Sequence, residues 1–193
     1  MSQWKIDNRY PNAPYFLTTT ITKHAHVFTR PEFFNVIISS LKHCQAEKSL
    51  GLHAFVIMTN HAHFILSAQG ESRLSEILRD FKRYTARQIV QMLEGLGPRG
   101  EIYLKVFRQA ANRPDREYQV WEPDNHPEVI LTDDFFFQKL HYIHDNPVRK
   151  GYVERPEHWL HSSARNYLLG DHRLIRVDCL QTVEQNKARH RES

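Results

Sequence analysis

Hydrophobic positions along the first part of the chain form stretches of strand and helix periodicity. Residues 14–22 are rich in aromatic and β-branched side chains, which predicts a first strand. Residues 31–48 begin with a proline and repeat apolar positions at helical spacing, so they predict a helix. Residues 52–68 contain two apolar runs separated by Thr59 and Asn60, which predicts two strands joined by a tight turn.

The middle of the chain predicts a second long helix followed by irregular structure. The helix begins at about Ser72 and carries an apolar stripe, and Gly95 and Gly97 mark its end. Residues 98–128 mix glycine, proline and polar residues with short apolar runs, which predicts one or two short strands within loops.

A third helix is predicted after this segment. Thr132 or Asp133 can cap its first turn, and Pro147 is expected to end it because the residue before a proline is disfavoured in the α region. A turn, an extended piece and a short helix are expected next, up to about residue 170. The order of strands and helices predicts an α+β fold with one mainly antiparallel sheet and helices packed on it.

Composition predicts one domain over residues 1–193, with an extended C-terminal tail from about residue 173. Of the 193 residues, 40% are hydrophobic and 11% aromatic, which is enough to form a core. No apolar run reaches the length of about 18 residues that a membrane span needs, and the first residues lack the pattern of a secretion signal. We therefore expect a cytoplasmic protein without a membrane partner.

The net charge of +4 is compatible with a nucleic-acid partner but does not require one. Four basic residues recur at helical spacing within the second predicted helix: Arg79, Lys82, Arg83 and Arg87. This pattern is typical of a helix face that contacts phosphates and also of a merely solvated face. The pattern alone leaves both interpretations open.

Two histidines inside an apolar strand are the first candidates for chemistry. His61 and His63 are two residues apart, so their side chains project from the same face of the strand and can hold one divalent metal ion. The chain contains 13 histidines, and His24 and His26 form a second copy of the same triplet in a polar context. The outer copy is expected to have no function, and for the inner copy the triplet alone is a weak indication.

The third predicted helix presents a tyrosine and an amide together. Tyr142 and Asn146 are four residues apart and therefore lie on one face of the helix. A tyrosine packed on the sheet and an asparagine that ends the helix would produce the same pattern. The sequence contains no phosphate-binding loop, dinucleotide-binding glycine motif, serine-nucleophile elbow or HExxH zinc motif, which disfavours the reactions that depend on them.

Three segments in this order resemble the REP-associated tyrosine transposases of the HUH endonuclease superfamily. They are AFVIMTNHAHFIL, LHYIHDNPVRKGYV and RPEHWLHSSARNY, within a resemblance that spans about residues 12–168. The resemblance implies a ferredoxin-like HUH endonuclease fold. It also implies a DNA transposase that cuts and rejoins single-stranded or hairpin DNA.

Roles for individual residues follow from this resemblance. Tyr142 would be the nucleophile that forms a 5′-phosphotyrosine, and His61, His63 and Asn146 would bind Mg²⁺ or Mn²⁺. Because an unperturbed tyrosine hydroxyl has a pKa of about 10, such a nucleophile needs a metal ion to polarise the phosphate. DNA contacts are expected from the four basic helix residues named above and from the basic C-terminal tail.

Several alternatives remain open at this point. The chain could be a former transposase that only binds DNA hairpins, or a metal-dependent phosphodiesterase that activates water and forms no covalent intermediate. Single-tyrosine insertion-sequence relatives are dimers that exchange the tyrosine helix, whereas the REP-associated branch resembles a monomer. Both a monomer and a homodimer are compatible with the sequence.

Overall fold

The computed structural model describes residues 6–7, 9–111, 116–123 and 126–180. Its strands are β1 (Tyr15–Thr20), β2 (Leu50–Ile57), β3 (His61–Ala68) and β4 (Glu128–Val129). Its helices are α1 (Pro31–Lys48), α2 (Leu74–Gly95), α3 (Pro98–Ala110), α4 (Asp133–Arg149) and α5 (Ala164–Leu169). All strand pairs are antiparallel, and the sheet order is β2-β3-β1-β4. The predicted α+β class and ferredoxin-like arrangement are confirmed.

Alternation along the strands sends side chains to two separate hydrophobic clusters. Leu17 and Phe64 point to the face that is covered by α1, α2 and α3. Phe16 and Ile65 point to the opposite face, where α4 supplies Phe136, among other residues. The third predicted helix, α4, therefore lies on the second face, across the sheet from the first two.

The segment after α2 is where the expectation of short strands was largely wrong. Residues 98–110 form α3, which begins with Pro98 at its first turn and packs on α2 through Leu104 and Phe107. Gly100 allows this contact, because a Cβ at that position would lie 1.8 Å from the carbonyl oxygen of Leu93. Among the described residues of the range 98–128, only Glu128, the first residue of β4, belongs to a strand.

Helix α4 begins as the sequence predicts but ends later than predicted. The hydroxyl of Thr132 accepts a hydrogen bond from the Phe135 amide, so the predicted N-cap is confirmed. Pro147 was expected to end the helix, but it lies inside the last turn, and α4 continues to Arg149. A proline this close to the end removes one backbone donor while the amide of Lys150 still bonds the Asn146 carbonyl.

The outer edge of β2 is covered by the chain that follows α4. The amide of Ser163 donates to Phe55, and the amide of Asp178 donates to Leu52. Residues 173–180 form no helix or strand and bury Ile175 against the main core. Across the described ranges, none of the helices is long and apolar enough to cross a membrane.

Candidate active site

His61 and His63 lie at the start of β3 on the face that α4 covers. Their ring centroids are 4.8 Å apart, and the rings meet edge to face. The antiparallel register places Thr20 opposite His61 and Thr18 opposite His63. The predicted side-by-side arrangement of the two imidazoles is therefore present.

Each imidazole uses its Nδ1 atom for a hydrogen bond to a neighbouring side chain. Nδ1 of His61 lies 2.6 Å from Oδ1 of Asn60, and Nδ1 of His63 lies 2.8 Å from Oγ1 of Thr18. Histidines that bind metals commonly anchor one ring nitrogen in this way while the other nitrogen is the ligand. The arrangement leaves the two Nε2 atoms as the candidate donors.

The surroundings keep both imidazoles neutral at physiological pH. Burial, assisted by the positive charge of Lys150, lowers the pKa of His61 to about 4. Burial also lowers the pKa of His63 to about 3, assisted by His61 and Lys139. Because only a neutral imidazole has a lone pair for a metal ion, this environment favours metal binding.

Tyr142 lies directly beside the histidine pair. Its ring contacts the ring of His63 edge-on, with centroids 5.2 Å apart, and it also contacts the edge of Phe16 at 5.9 Å. Phe16 in turn stacks on His63. The tyrosine side chain remains 38% exposed, so an external substrate can reach its hydroxyl.

Asn146 lies one turn along α4 from Tyr142 and is buried. Among the described residues, no donor bonds its side-chain oxygen Oδ1. Such an orphaned buried acceptor is costly, and a cation would satisfy it. The described ranges hold no group of three or more His, Cys, Asp or Glu side chains that could bind a metal. Two neighbouring imidazoles and one unpaired amide oxygen on α4 are therefore the candidate donors for a divalent cation.

Positive charges on the last turns of α4 surround this site, and the sequence alone did not suggest them. The guanidinium of Arg149 lies 5.6 Å from the centre of the Tyr142 ring, and the charge of Lys150 acts on His61. Lys139 lies 4.3 Å from the Phe16 ring centre and pairs with Glu128 at 2.7 Å. Arg149 and Lys150 follow Tyr142 by seven and eight residues. This spacing is the sequence signal that could have identified them.

Two of the four predicted DNA-binding residues line a groove on the opposite face of the protein. Arg83 and Arg87 lie with the half-exposed ring of Tyr84 in a cavity of about 570 Å³ between α1 and α2. Lys48 also lines this cavity and pairs with Asp80 at 2.5 Å. The groove combines cationic and aromatic side chains, but the sheet separates it from Tyr142.

The other two basic residues differ in their surroundings. Arg79 is exposed and pairs with Asp80 at 3.3 Å. The amine of Lys82 turns toward the carbonyl of Glu122 at 3.3 Å, and burial lowers the pKa of Lys82 to about 7. Burial therefore disfavours the charged form of Lys82, so it is the least suited of the four residues to contact a phosphate. The basic tail beyond residue 180 lies outside the described residues.

Sequence comparison identifies a family for the part of the chain that contains the histidine pair. Residues 11–105 match the model of the IS200-like transposases, a range that includes His61 and His63 but ends before Tyr142. No curated protein matches the sequence significantly.

One solved structure shows that the fold is shared as well. A REP-associated tyrosine transposase bound to a REP hairpin superposes with a TM-score of 0.63 at 15% identity, covering 96% of both chains. A candidate transposase from Deinococcus radiodurans R1 gives a TM-score of 0.42 at 18% identity, over 72% of this chain and 95% of the other. On the family match, residues 11–105 belong to the IS200-like transposases.

Proposed function

We propose that this protein is a DNA transposase that cuts and rejoins single-stranded DNA through a covalent link to Tyr142. The observation that carries the proposal is the contact between Tyr142 and His63, with ring centroids 5.2 Å apart. This contact places an accessible hydroxyl beside a pair of neutral imidazoles. The REP-associated branch of the family is the one that the shared fold favours.

The reaction that these residues support is a displacement at phosphorus. The hydroxyl oxygen of Tyr142 attacks the scissile phosphate, a new bond forms between this oxygen and phosphorus, and the bond from phosphorus to the 3′ oxygen breaks. The phenolic proton is released, and the departing 3′ oxygen takes up a proton. Arg149 and Lys150 lie where they can attract the negative phosphate toward the tyrosine.

We propose that His61, His63 and Asn146 hold Mg²⁺ or Mn²⁺, the cations that the resemblance implies; the amide oxygen suits both, and the softer Mn²⁺ accepts the two imidazoles more readily. When bound, such a cation would polarise the scissile phosphate and offset the charge that develops on its oxygens. The protein's own part is to hold both imidazoles neutral and to keep one buried amide oxygen without a competing donor.

Rejoining follows from the same link. The phosphotyrosine conserves the energy of the phosphodiester, so a second 3′-hydroxyl can attack it and release Tyr142. The tyrosine oxygen regains a proton as the new DNA bond forms. No nucleotide hydrolysis is needed, which agrees with a sequence that has no phosphate-binding loop.

The groove between α1 and α2 is the proposed contact for a DNA hairpin or its single-stranded flank. Arg83 and Arg87 can follow phosphates, and the half-exposed ring of Tyr84 can stack on a base. The related protein of known structure is bound to a REP hairpin, and we extend this class of ligand to the present chain. Arg79, which is exposed on the same helix and pairs with Asp80, is a further candidate.

A denaturing gel tests the proposal directly. The protein is incubated with a labelled hairpin oligonucleotide taken from the flanks of its own gene, in Mg²⁺, Mn²⁺ or EDTA. We expect a protein–DNA adduct that survives denaturation, requires the cation and is absent in Tyr142→Phe. Tyr10→Phe is the matched control, because Tyr10 is similarly exposed and does not contact the histidine pair.

The other outcomes separate the alternative functions. Cation-dependent cleavage without an adduct would indicate a phosphodiesterase that activates water. Tight hairpin binding without cleavage would indicate a protein that only binds DNA. An adduct that persists in Tyr142→Phe would assign the nucleophile to another residue.

A further inference from the structure

Asn60 occupies the turn between β2 and β3, and its side-chain amide takes part in two hydrogen bonds. Its side-chain nitrogen Nδ2 donates to the backbone carbonyl of His24 at 3.2 Å. Its side-chain oxygen Oδ1 lies 2.6 Å from Nδ1 of His61. A backbone carbonyl can only accept, so the bond to His24 fixes which end of the amide faces His61.

The direction of the second bond follows from the first. Oδ1 of Asn60 has no hydrogen to donate, so Nδ1 of His61 must carry the proton. In a neutral imidazole, the other nitrogen, Nε2, then has the lone pair. His63 differs, because its partner is the hydroxyl of Thr18, which can donate or accept and therefore permits either tautomer.

His24, whose carbonyl accepts the bond from Asn60, has an unusual backbone conformation. Lys23 and His24 both adopt positive φ angles, of 55° and 53°, which are uncommon for residues other than glycine. The segment is fastened by Thr22, whose amide donates to the Val120 carbonyl, and by the Lys23 amide, which donates to Glu122 at 2.8 Å. Neighbouring structure thus enforces a strained turn whose carbonyl points at Asn60.

We propose that Asn60 is a positioning residue that holds His61 in the tautomer whose Nε2 can bind a cation. The cation itself rests on the proposed function, but the tautomer is a property of the metal-free protein. The second histidine triplet participates through the backbone carbonyl of His24. A purely structural role for Asn60, fastening the turn to His24, is the competing explanation.

Two substitutions at the same position separate these roles. Asn60→Asp keeps an oxygen that accepts from Nδ1 of His61 but loses the donor to His24, whereas Asn60→Ala loses both. Nitrogen-15 NMR of the imidazoles, at pH 8 in EDTA, reports the tautomer, and titration with Mn²⁺ reports the affinity. Thr18→Val is the control, because it removes the partner of His63 and leaves that of His61 intact.

The expected results differ clearly between the variants. The wild type and Asn60→Asp should show His61 protonated at Nδ1, and Asn60→Asp should bind Mn²⁺ at least as tightly as the wild type. Asn60→Ala should populate the other tautomer and bind Mn²⁺ about 10- to 100-fold more weakly. Thr18→Val should leave the His61 signals unchanged.

Either of two results would overturn the inference. The first is a wild-type His61 protonated at Nε2, and the second is an Asn60→Asp variant that loses the tautomer as fully as Asn60→Ala does. If the wild type failed to bind Mn²⁺, the proposed cation would be wrong, but the NMR result would still decide the role of Asn60. Wild-type-like backbone spectra establish that each variant is folded.

Discussion

The ring of Tyr142 contacts the ring of His63 within the same chain, edge-on and at 5.2 Å between centroids. The proposed nucleophile and the histidine pair therefore lie together in one copy of the protein. A dimer that exchanged its tyrosine helix would instead join α4 of one copy to β3 of the other. The contact favours catalysis in cis.

Mixing two inactive variants tests catalysis in cis. Tyr142→Phe lacks the nucleophile and His63→Ala lacks a cation ligand, so each alone should form no adduct. If the site is built within one chain, a mixture of the two should also remain inactive, even after they are unfolded and refolded together. Adduct formation in the mixture, measured on a denaturing gel, would show that the tyrosine acts on the partner's site.

Replacement of Asn146 by leucine should separate stability from metal binding. The unpaired buried Oδ1 costs about 1 to 3 kcal/mol, so Asn146→Leu should raise the free energy of unfolding of the metal-free protein by about 1 kcal/mol. The same change removes a cation ligand and should weaken Mn²⁺ binding by at least about tenfold. Urea unfolding in EDTA and Mn²⁺ titration measure the two effects.

Asn146→Asp is the matched control, because it keeps an oxygen ligand at the same place. It should retain Mn²⁺ binding while destabilising the metal-free protein, since a buried carboxylate is costly without a partner. An Asn146→Leu variant that binds Mn²⁺ as well as the wild type would remove Asn146 from the proposed donor set.

Stability should fall as the pH is lowered below about 6.5. Burial lowers the pKa of His63 to about 3 and that of His144 to about 4, whereas an unfolded imidazole has a pKa of about 6.5. Below that value the unfolded chain binds more protons than the folded one, so the free energy of unfolding decreases until about pH 4 through His144 and until about pH 3 through His63. Each of these two imidazoles should contribute a loss of about 1 kcal/mol between pH 7 and pH 5.5.

Urea unfolding in EDTA across this range provides the measurement. His144→Gln is the informative variant, because glutamine can still donate to Ser163, which lies 2.9 Å from Nε2 of His144. Its stability should lose about 1 kcal/mol less than that of the wild type over the same interval. Equal pH dependence in the two proteins would contradict the assignment of a neutral, buried imidazole.

The groove between α1 and α2 predicts a particular salt dependence for DNA binding. Removing two phosphate contacts, in the double variant Arg83→Gln and Arg87→Gln, should weaken hairpin binding. It should also reduce the slope of log affinity against log salt concentration by about 1.5. Cleavage at saturating DNA should change little, because the groove and Tyr142 lie on opposite faces of the sheet.

Arg99→Gln is the control for charge, since Arg99 is exposed at the start of α3 and outside the groove. Binding isotherms at several salt concentrations should show an unchanged slope for this variant. If the double variant kept the wild-type slope, the groove would not be the DNA contact.

The sequence predicted the central strands well because their side chains are sorted by strong alternation and clear turn residues. His61 and His63 could be placed on one face for the same reason. The helix α3 was missed because only Leu104 and Phe107 repeat on its buried side, while Gly97, Pro98 and Gly100 are typical of a loop. In the folded protein, Gly100 allows α3 to cross closely against Leu93. No local sequence pattern reveals this contact.

The site was predicted in part for a similar reason. Helical spacing places Tyr142 and Asn146 on one face, but it does not indicate which strand this face meets. The connection from His24 through Asn60 to His61 joins residues up to 37 positions apart through a backbone carbonyl, which has no signature in the side-chain sequence. Long-range hydrogen bonds of this kind are visible only in the folded chain.

A full sheet and its helices separate the cationic groove from Tyr142. The fold therefore fixes the distance between the groove and the tyrosine. A DNA hairpin held by α1 and α2 would have to send its free strand around the edge of the sheet before a phosphate reached α4. The thickness of the protein would then determine the number of nucleotides between the base of the hairpin and the cut. The distance from the hairpin, as well as the base sequence, would therefore set the position of the break.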